Sequence, residues 1–271
     1  MKAQEKLQKR ISEGKHICVG LDSDINKIPE YLKSYENPIL EFNKIIIQNT
    51  YENAAAYKIN LAFYEDRGSG GFRLLEETLK FIPDDILIIG DAKRGDIGNT
   101  SLKYAQSLYE YFKFDSATLH PYMGLDSVEP FLNYEDKINF VLALTSNKSS
   151  ADFEKLRLEN GKFLYEEVIE KVNEWNRRDN CGIVFGATNL VELKNSFSQF
   201  ERLFLLLPGV GAQGGDLENI LKLFRQKDYH KFLVNVSRGI IYSSAGKDFG
   251  SAAKKTLIEY NNKVKKFLYS F

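Results

Sequence analysis

Eight short runs rich in β-branched and aromatic residues constrain this chain more than any other feature. They lie at 17–22, 54–60, 85–93, 116–122, 138–146, 180–188, 202–210 and 230–239. Segments with helical spacing of apolar residues separate many of them, at 40–51, 72–81, 101–112, 163–175 and 217–224, and a last one covers 252–268. Strands alternating with helices pair in parallel, because a parallel neighbour is reached only through a long crossover. Several runs, such as DILIIG at 85–90 and FVLAL at 140–144, are nearly continuous in apolar residues, as expected of strands covered on both faces. A doubly wound open sheet and a closed barrel both satisfy this pattern, and the polar residues separate them. Asp22, Lys58, Asp91, Lys93, His120, Thr145, Ser146, Thr188 and Arg238 fall at or near the carboxyl ends of different runs. A barrel brings those ends to one mouth, whereas an open sheet spreads them along an edge at about 4.8 Å per strand. The expected fold is α/β, a (β/α)8 TIM barrel. With no linker-like stretch, residues 1–271 are expected to form one domain, with a short N-terminal helix that reads as an ordinary surface helix.

Composition removes several function classes. Lys plus Arg and Asp plus Glu both total 37, a net charge of +0, so nothing favours the phosphate backbone of a nucleic acid. The longest apolar runs, 140–144 and 203–207, fall far short of the roughly 20 residues of a membrane helix. The N-terminus lacks the apolar stretch and cleavage site of a secretory signal, so a soluble, cytoplasmic protein is expected. Cys18 and Cys181 lie far apart in apolar runs and read as two reduced, buried thiols. His16, His120 and His230 are too scattered for a zinc cluster, so no metal site is expected and the chemistry falls to other side chains.

The most informative segment is GDAKRGDIGNT at 90–100. Strand alternation puts Asp91 and Lys93 on one face, and Lys58 and Asn60 share a face on the preceding strand. Asp96 lies just off the strand end. A lone D-x-K reads as a buried ion pair; two lysines and up to three carboxylates within a few ångströms are another matter. At 4 Å and an effective dielectric near 20, each pair is coupled by about 4 kcal/mol, and burying so many charges for stability costs more than apolar packing would. Alternating signs keep the groups charged and preorganise the mouth for a reaction that creates or removes negative charge.

A second feature is LLPGVGAQGGD at 206–216, paired with VSRGIIY at 236–242. Glycine-rich turns offer backbone N–H groups to an anion and arginine offers a bidentate fork. After strands seven and eight of a barrel this points to phosphate, with Gln213, Ser237, Arg238 and Gly239 as candidates. RGSGG at 67–71 lacks a preceding strand and reads as a flexible turn. Asp22 can accept hydrogen bonds from sugar hydroxyls, while Thr145, Ser146 and Asn147 suit a planar base. His120 reads equally as a ligand contact or a hydrogen-bonded strand-end residue. The irregular stretches 23–35 and 147–161 are candidates either for substrate-covering loops or for surface decoration.

With these residues assembled, the chain resembles the orotidine 5′-phosphate decarboxylase family, in its longer bacterial branch. The resemblance rests on the D-x-K-x-x-D-I-x-x-T pattern of Asp91, Lys93, Asp96, Ile97 and Thr100, on GLD at 20–22, Lys58, PGVGAQGGD at 208–216 and Arg238, with HPYMG at 120–124 and DSVEPF at 126–131. It implies decarboxylation of orotidine 5′-monophosphate to UMP and carbon dioxide with neither metal nor organic cofactor. By the same resemblance Lys93 is the proton donor, Asp91 lies against the departing carboxylate, and Lys58 with Asp96 completes the charge array. Asp22 holds the ribose, Thr145 or Ser146 the pyrimidine, and Gln213 with Arg238 the phosphate. Asp96 and Thr100 reach the neighbouring subunit's site, which implies a homodimer. Two alternatives stay open from the residues alone. One is a metal-dependent phosphosugar aldolase or epimerase on the same barrel, using Asp91 and Asp96; the other is a catalytically silent pyrimidine-nucleotide-binding barrel.

Overall fold

The computed structural model describes residues 1–210 and 215–269. Each of the eight runs yields one strand: β1 (Ile17–Gly20), β2 (Ala56–Asn60), β3 (Leu87–Arg94), β4 (Ser116–Leu119), β5 (Ile138–Leu144), β6 (Cys181–Phe185), β7 (Phe204–Leu207) and β8 (Phe232–Val236). They pair in parallel in sequence order, and β8 pairs back onto β1 to close the barrel. Closure rather than an open sheet is what gathers the polar strand ends at one mouth.

The helices are α1 (Ala3–Ser12), α2 (Pro38–Thr50), α3 (Ala62–Glu65), α4 (Gly68–Leu79), α5 (Gly98–Ala105), α6 (Leu125–Leu132), α7 (Leu164–Trp175), α8 (Leu190–Asn195), α9 (Phe197–Phe200), α10 (Leu217–Gln226), α11 (Arg238–Ile241) and α12 (Phe249–Val264). The crossovers α6, α8 and α9 escape the periodicity reading because they are short, with Pro130 inside α6 and a break at Ser196 between α8 and α9. A helix of one or two turns shows too few repeats to betray its period. The segment 67–71 is not a flexible turn: α4 begins at Gly68, one turn earlier than the apolar spacing suggests. Gly71 is there for close packing, since a Cβ on it would lie 1.7 Å from the Tyr64 carbonyl oxygen.

The barrel interior is filled by an apolar cluster that includes Cys18, Leu87, Ile138, Phe140, Leu206 and Leu233, and α1 contributes Ala3 and Leu7 to it. So α1 is no ordinary surface helix. It lies across the amino-terminal end of the barrel, held by Lys6 Nζ on Asp115 Oδ1 at 2.8 Å and by the Ala3 N–H donating to the Asp136 carbonyl at 2.9 Å. Burying the Leu7 side chain contributes about 2 kcal/mol, and the dry floor it completes underlies the polar mouth. Among the described residues no helix is long and apolar enough to cross a membrane.

The two irregular stretches diverge. Residues 23–35 fold down onto the body: Ile28 and Leu32 are buried, Ser23 donates to Asn43, and the Asp24 N–H donates to the Tyr242 hydroxyl. Of the second stretch, Asn147 reaches the cavity described next.

Candidate active site

The carboxyl ends of the strands surround a cavity of about 360 Å³. Its lining contains Asp22, Lys58, Asp91, Lys93, Thr145, Ser146, Ser237, Arg238 and Gly239, together with Asn60 and Asn147. Sequence positions as far apart as Asp22 and Gly239 are thus brought onto one surface by barrel closure alone.

Strand register builds the centre. Lys58 stands beside Gly20 of β1 on one side and Ile89 of β3 on the other, and Asn60 is paired with Asp91. The Lys58 ammonium donates to Asp91 Oδ2 at 2.6 Å and lies 3.7 Å from Asp22 Oδ1. Lys93 Nζ donates to Asp91 Oδ1 at 2.6 Å. The chain of charges therefore runs Asp22, Lys58, Asp91, Lys93, alternating in sign. The resemblance puts Asp96 in such an array from a neighbouring subunit and assigns Asp22 to the ribose. Within one chain the second carboxylate is Asp22, while Asp96 and Thr100 do not line the cavity. Asp96 Oδ1 instead accepts from the Ile97 N–H at 2.7 Å.

Burial pushes the Asp91 carboxyl up, but the ammonium groups of Lys58 and Lys93 outweigh it and hold it well below the usual carboxylate range. Burial likewise pushes the Lys58 ammonium down, and the Asp91 and Asp22 carboxylates more than reverse this, holding it above the ordinary lysine value. Lys58 is nearly inaccessible, its side chain 6% exposed, whereas that of Lys93 is 49% exposed to the open mouth.

Simple alternation does not account for Lys93. The β3–β4 pairing slips between Gly90 and Arg94, and Lys93 takes a left-handed backbone with φ of 49°. A non-glycine residue there costs of order 1 kcal/mol or more and persists where its surroundings hold it. Thr118 is what the reading of the chain missed: buried on β4, it donates from Oγ1 to Asp91 Oδ1 at 2.8 Å and accepts the Lys93 N–H at 3.0 Å. Its signal was its place two residues before His120 on a strand whose end was already marked as polar. Asn235, also missed, lines the cavity with its Oδ1 buried and lacking a partner among the described residues.

The side of the cavity that carries Ser237 and Arg238 is built by close approach. Gly20 has no side chain because a Cβ there would lie 1.9 Å from Ser237 Oγ. Arg238 opens α11, exposed and without an ion pair among the described residues. Gln213 lies outside the described residues. On the opposite side Glu154 takes the Thr145 N–H at 2.7 Å and its hydroxyl at 2.8 Å, which ties the loop after β5 to its strand. His120 does not line the cavity, and Gly95 passes so close that a Cβ would lie 3.0 Å from the His120 ring. Cys18 and Cys181 are buried and free, and among the described residues no three His, Cys, Asp or Glu side chains gather to hold a metal.

Comparison with known proteins bears on what this arrangement does. Residues 15–255 match the model of the orotidine 5′-phosphate decarboxylase / HUMPS family. An orotidine 5′-phosphate decarboxylase of Dehalococcoides mccartyi strain CBDB1 is 41% identical over 275 residues, covering 100% of both chains. One from Porphyromonas gingivalis strain ATCC 33277 is 46% identical over 240 residues, covering 88% of this chain and 87% of its own. The structure of Leishmania donovani OMP decarboxylase superposes with a TM-score of 0.84 at 37% identity, over 97% of this chain and 99% of that one.

Proposed function

The chain belongs to the orotidine 5′-phosphate decarboxylase / HUMPS family, and from this premise we infer how the barrel mouth converts orotidine 5′-phosphate to UMP and carbon dioxide. It is a carboxy-lyase of UMP biosynthesis. The observation that carries the assignment of roles is the alternating chain Asp22, Lys58, Asp91, Lys93 at the cavity wall.

The carbon–carbon bond to the carboxylate breaks and its electron pair stays on a ring carbon that has no conjugated sink. An ammonium fixed beside that carbon stabilises the developing negative charge and then protonates it. Lys93 does both. Asp91 fixes the amine through a 2.6 Å hydrogen bond and lies against the departing carboxylate. Lys58, bonded to the other Asp91 oxygen, keeps that aspartate ionised. Because Lys93 is half-exposed in the open mouth, solvent can restore its proton after each turnover. Arg238, with Ser237, Gly239 and Gln213, holds the phosphate; Asp22 holds the ribose; Ser146 and Thr145 face the pyrimidine. Binding energy from the remote phosphate is then available to exclude water from the charges.

Metal-dependent aldol or epimerase chemistry fits the donors poorly, since the Asp91 oxygens are already taken by two ammonium groups and the Thr118 hydroxyl. The protein acts as a homodimer in which Asp96 and Thr100 complete the neighbour's site. What supports this is their position away from their own cavity, beside Ile97, which is 67% exposed. Tyr122 and Met123 are exposed on the loop before α6, and the first turn of α6 meets this segment where the Asp96 N–H approaches the Ser127 carbonyl. Two free buried thiols suit the reducing cytoplasm. Mixing orotidine 5′-phosphate with chelator-treated protein tests the reading: the ultraviolet spectrum should change to that of UMP. No change, or change only after a divalent metal is restored, would overturn it.

A further inference from the structure

Thr118 has no part in the roles assigned above, yet it touches both members of the catalytic pair. Its Oγ1 is 2.8 Å from Asp91 Oδ1 and 3.0 Å from the Lys93 backbone nitrogen. The second contact fixes the direction of the first. A backbone N–H can only donate, so the hydroxyl oxygen is its acceptor, and the single hydroxyl proton is left for the carboxylate. Asp91 Oδ1 thus receives the Lys93 ammonium and the Thr118 hydroxyl together, while Oδ2 receives Lys58.

The position matters because β3 is irregular here. The ladder to β4 slips between Gly90 and Arg94, so the Lys93 N–H has left the regular sheet pattern, and the residue sits at φ of 49°. A buried or half-buried N–H without an acceptor is costly, and a left-handed lysine needs outside support. The β4 side chain supplies both from a site 2% exposed to solvent. Valine has nearly the same shape and would fill the space, but it would offer neither acceptor nor donor.

We propose that Thr118 is a positioning residue for decarboxylation. Its hydroxyl clamps the Asp91 carboxylate and the bulged Lys93 backbone in one geometry, so that the Lys93 ammonium points at the reacting carbon. The proposal rests on the function inferred above. It concerns the chemical step and not ligand affinity, because the phosphate, ribose and base contacts lie on other strands.

The test compares Thr118→Val, Thr118→Ala and Thr118→Ser with the wild type, reading kcat, KM and the dissociation constant of UMP, with thermal midpoints alongside. Loss of a hydrogen bond to a charged group should lower kcat by about ten- to a hundredfold in the valine variant. KM and UMP affinity should stay within about threefold of wild type, as for an interaction made in the transition state. The serine variant keeps the hydroxyl and should recover most of kcat. If valine proves insoluble, alanine carries the same comparison. Near-wild-type kcat in Thr118→Val or Thr118→Ala would overturn the proposal, as would parallel loss of kcat and UMP affinity, or a serine variant no better than valine. A wild-type protein that does not turn over orotidine 5′-phosphate would instead sink the functional reading, and this inference with it.

Discussion

Replacing Lys93 by alanine isolates the chemistry from the fold. The Lys93 side chain is 49% exposed and its Nζ is bonded to Asp91 Oδ1, so its removal should cost the fold no more than about 1 kcal/mol. The catalytic cost is of another size. An ammonium about 4 Å from a developing carbanion, at an effective dielectric near 20, stabilises it by about 4 kcal/mol. At 1.36 kcal/mol per decade that is about a thousandfold in rate. Loss of the proton donor adds to this, so about a thousandfold is a floor. Single-turnover ultraviolet assays with orotidine 5′-phosphate measure the rate, and UMP titration measures binding, which should change by less than about threefold. Lys93→Gly supplies an internal control: it removes the same amine but relieves the left-handed backbone at φ of 49°, so it should be as inactive as alanine yet more stable by about 1 kcal/mol. A Lys93→Ala rate within tenfold of wild type would show that this amine is neither the proton donor nor the main electrostatic support.

Other expectations follow from the same geometry. Asp91→Asn leaves the buried Lys58 ammonium with Asp22 at 3.7 Å as its one carboxylate among the described residues and should lower unfolding stability by about 3–5 kcal/mol in urea titrations; adding Lys58→Met should recover much of that, because the stranded charge is gone. Arg238→Ala should weaken UMP binding by about 10- to 100-fold while uridine affinity stays unchanged, which calorimetry can follow. Buried His16, whose ring nitrogens meet the Phe232 carbonyl and the Tyr269 hydroxyl, has its pKa pushed down to about 4, chiefly by burial. Between pH 6.5 and about 4 the unfolded chain binds a proton that the folded chain refuses, so stability falls as pH falls, by about 3 kcal/mol over that window. His16→Gln should flatten that slope in urea midpoints measured from pH 7 to pH 4.

Strand count, barrel closure and most of the polar lining of the cavity could be read from the amino-acid order. The reason is that covered parallel strands have long apolar runs, and polar residues at their carboxyl ends have only the mouth to occupy. Lys58, Asp91, Lys93 and Arg238 were legible for that reason. Local period, by contrast, could not reveal α6, α8 and α9, which are too short to repeat, nor the α1 plug, whose burial depends on the barrel end it covers. Which carboxylate joins Asp91 beside Lys58 depends on packing across strands, because Asp22 and Lys58 meet through the β1–β2 register, whereas Asp96 leaves its own strand and turns to the Ile97 amide. The same packing makes β3 bulge at its carboxyl end, where Thr118 spans the bulge. A threonine on a buried strand looks like any other β-branched residue until the neighbouring backbone withdraws its own hydrogen bond and leaves that hydroxyl a partner on each side.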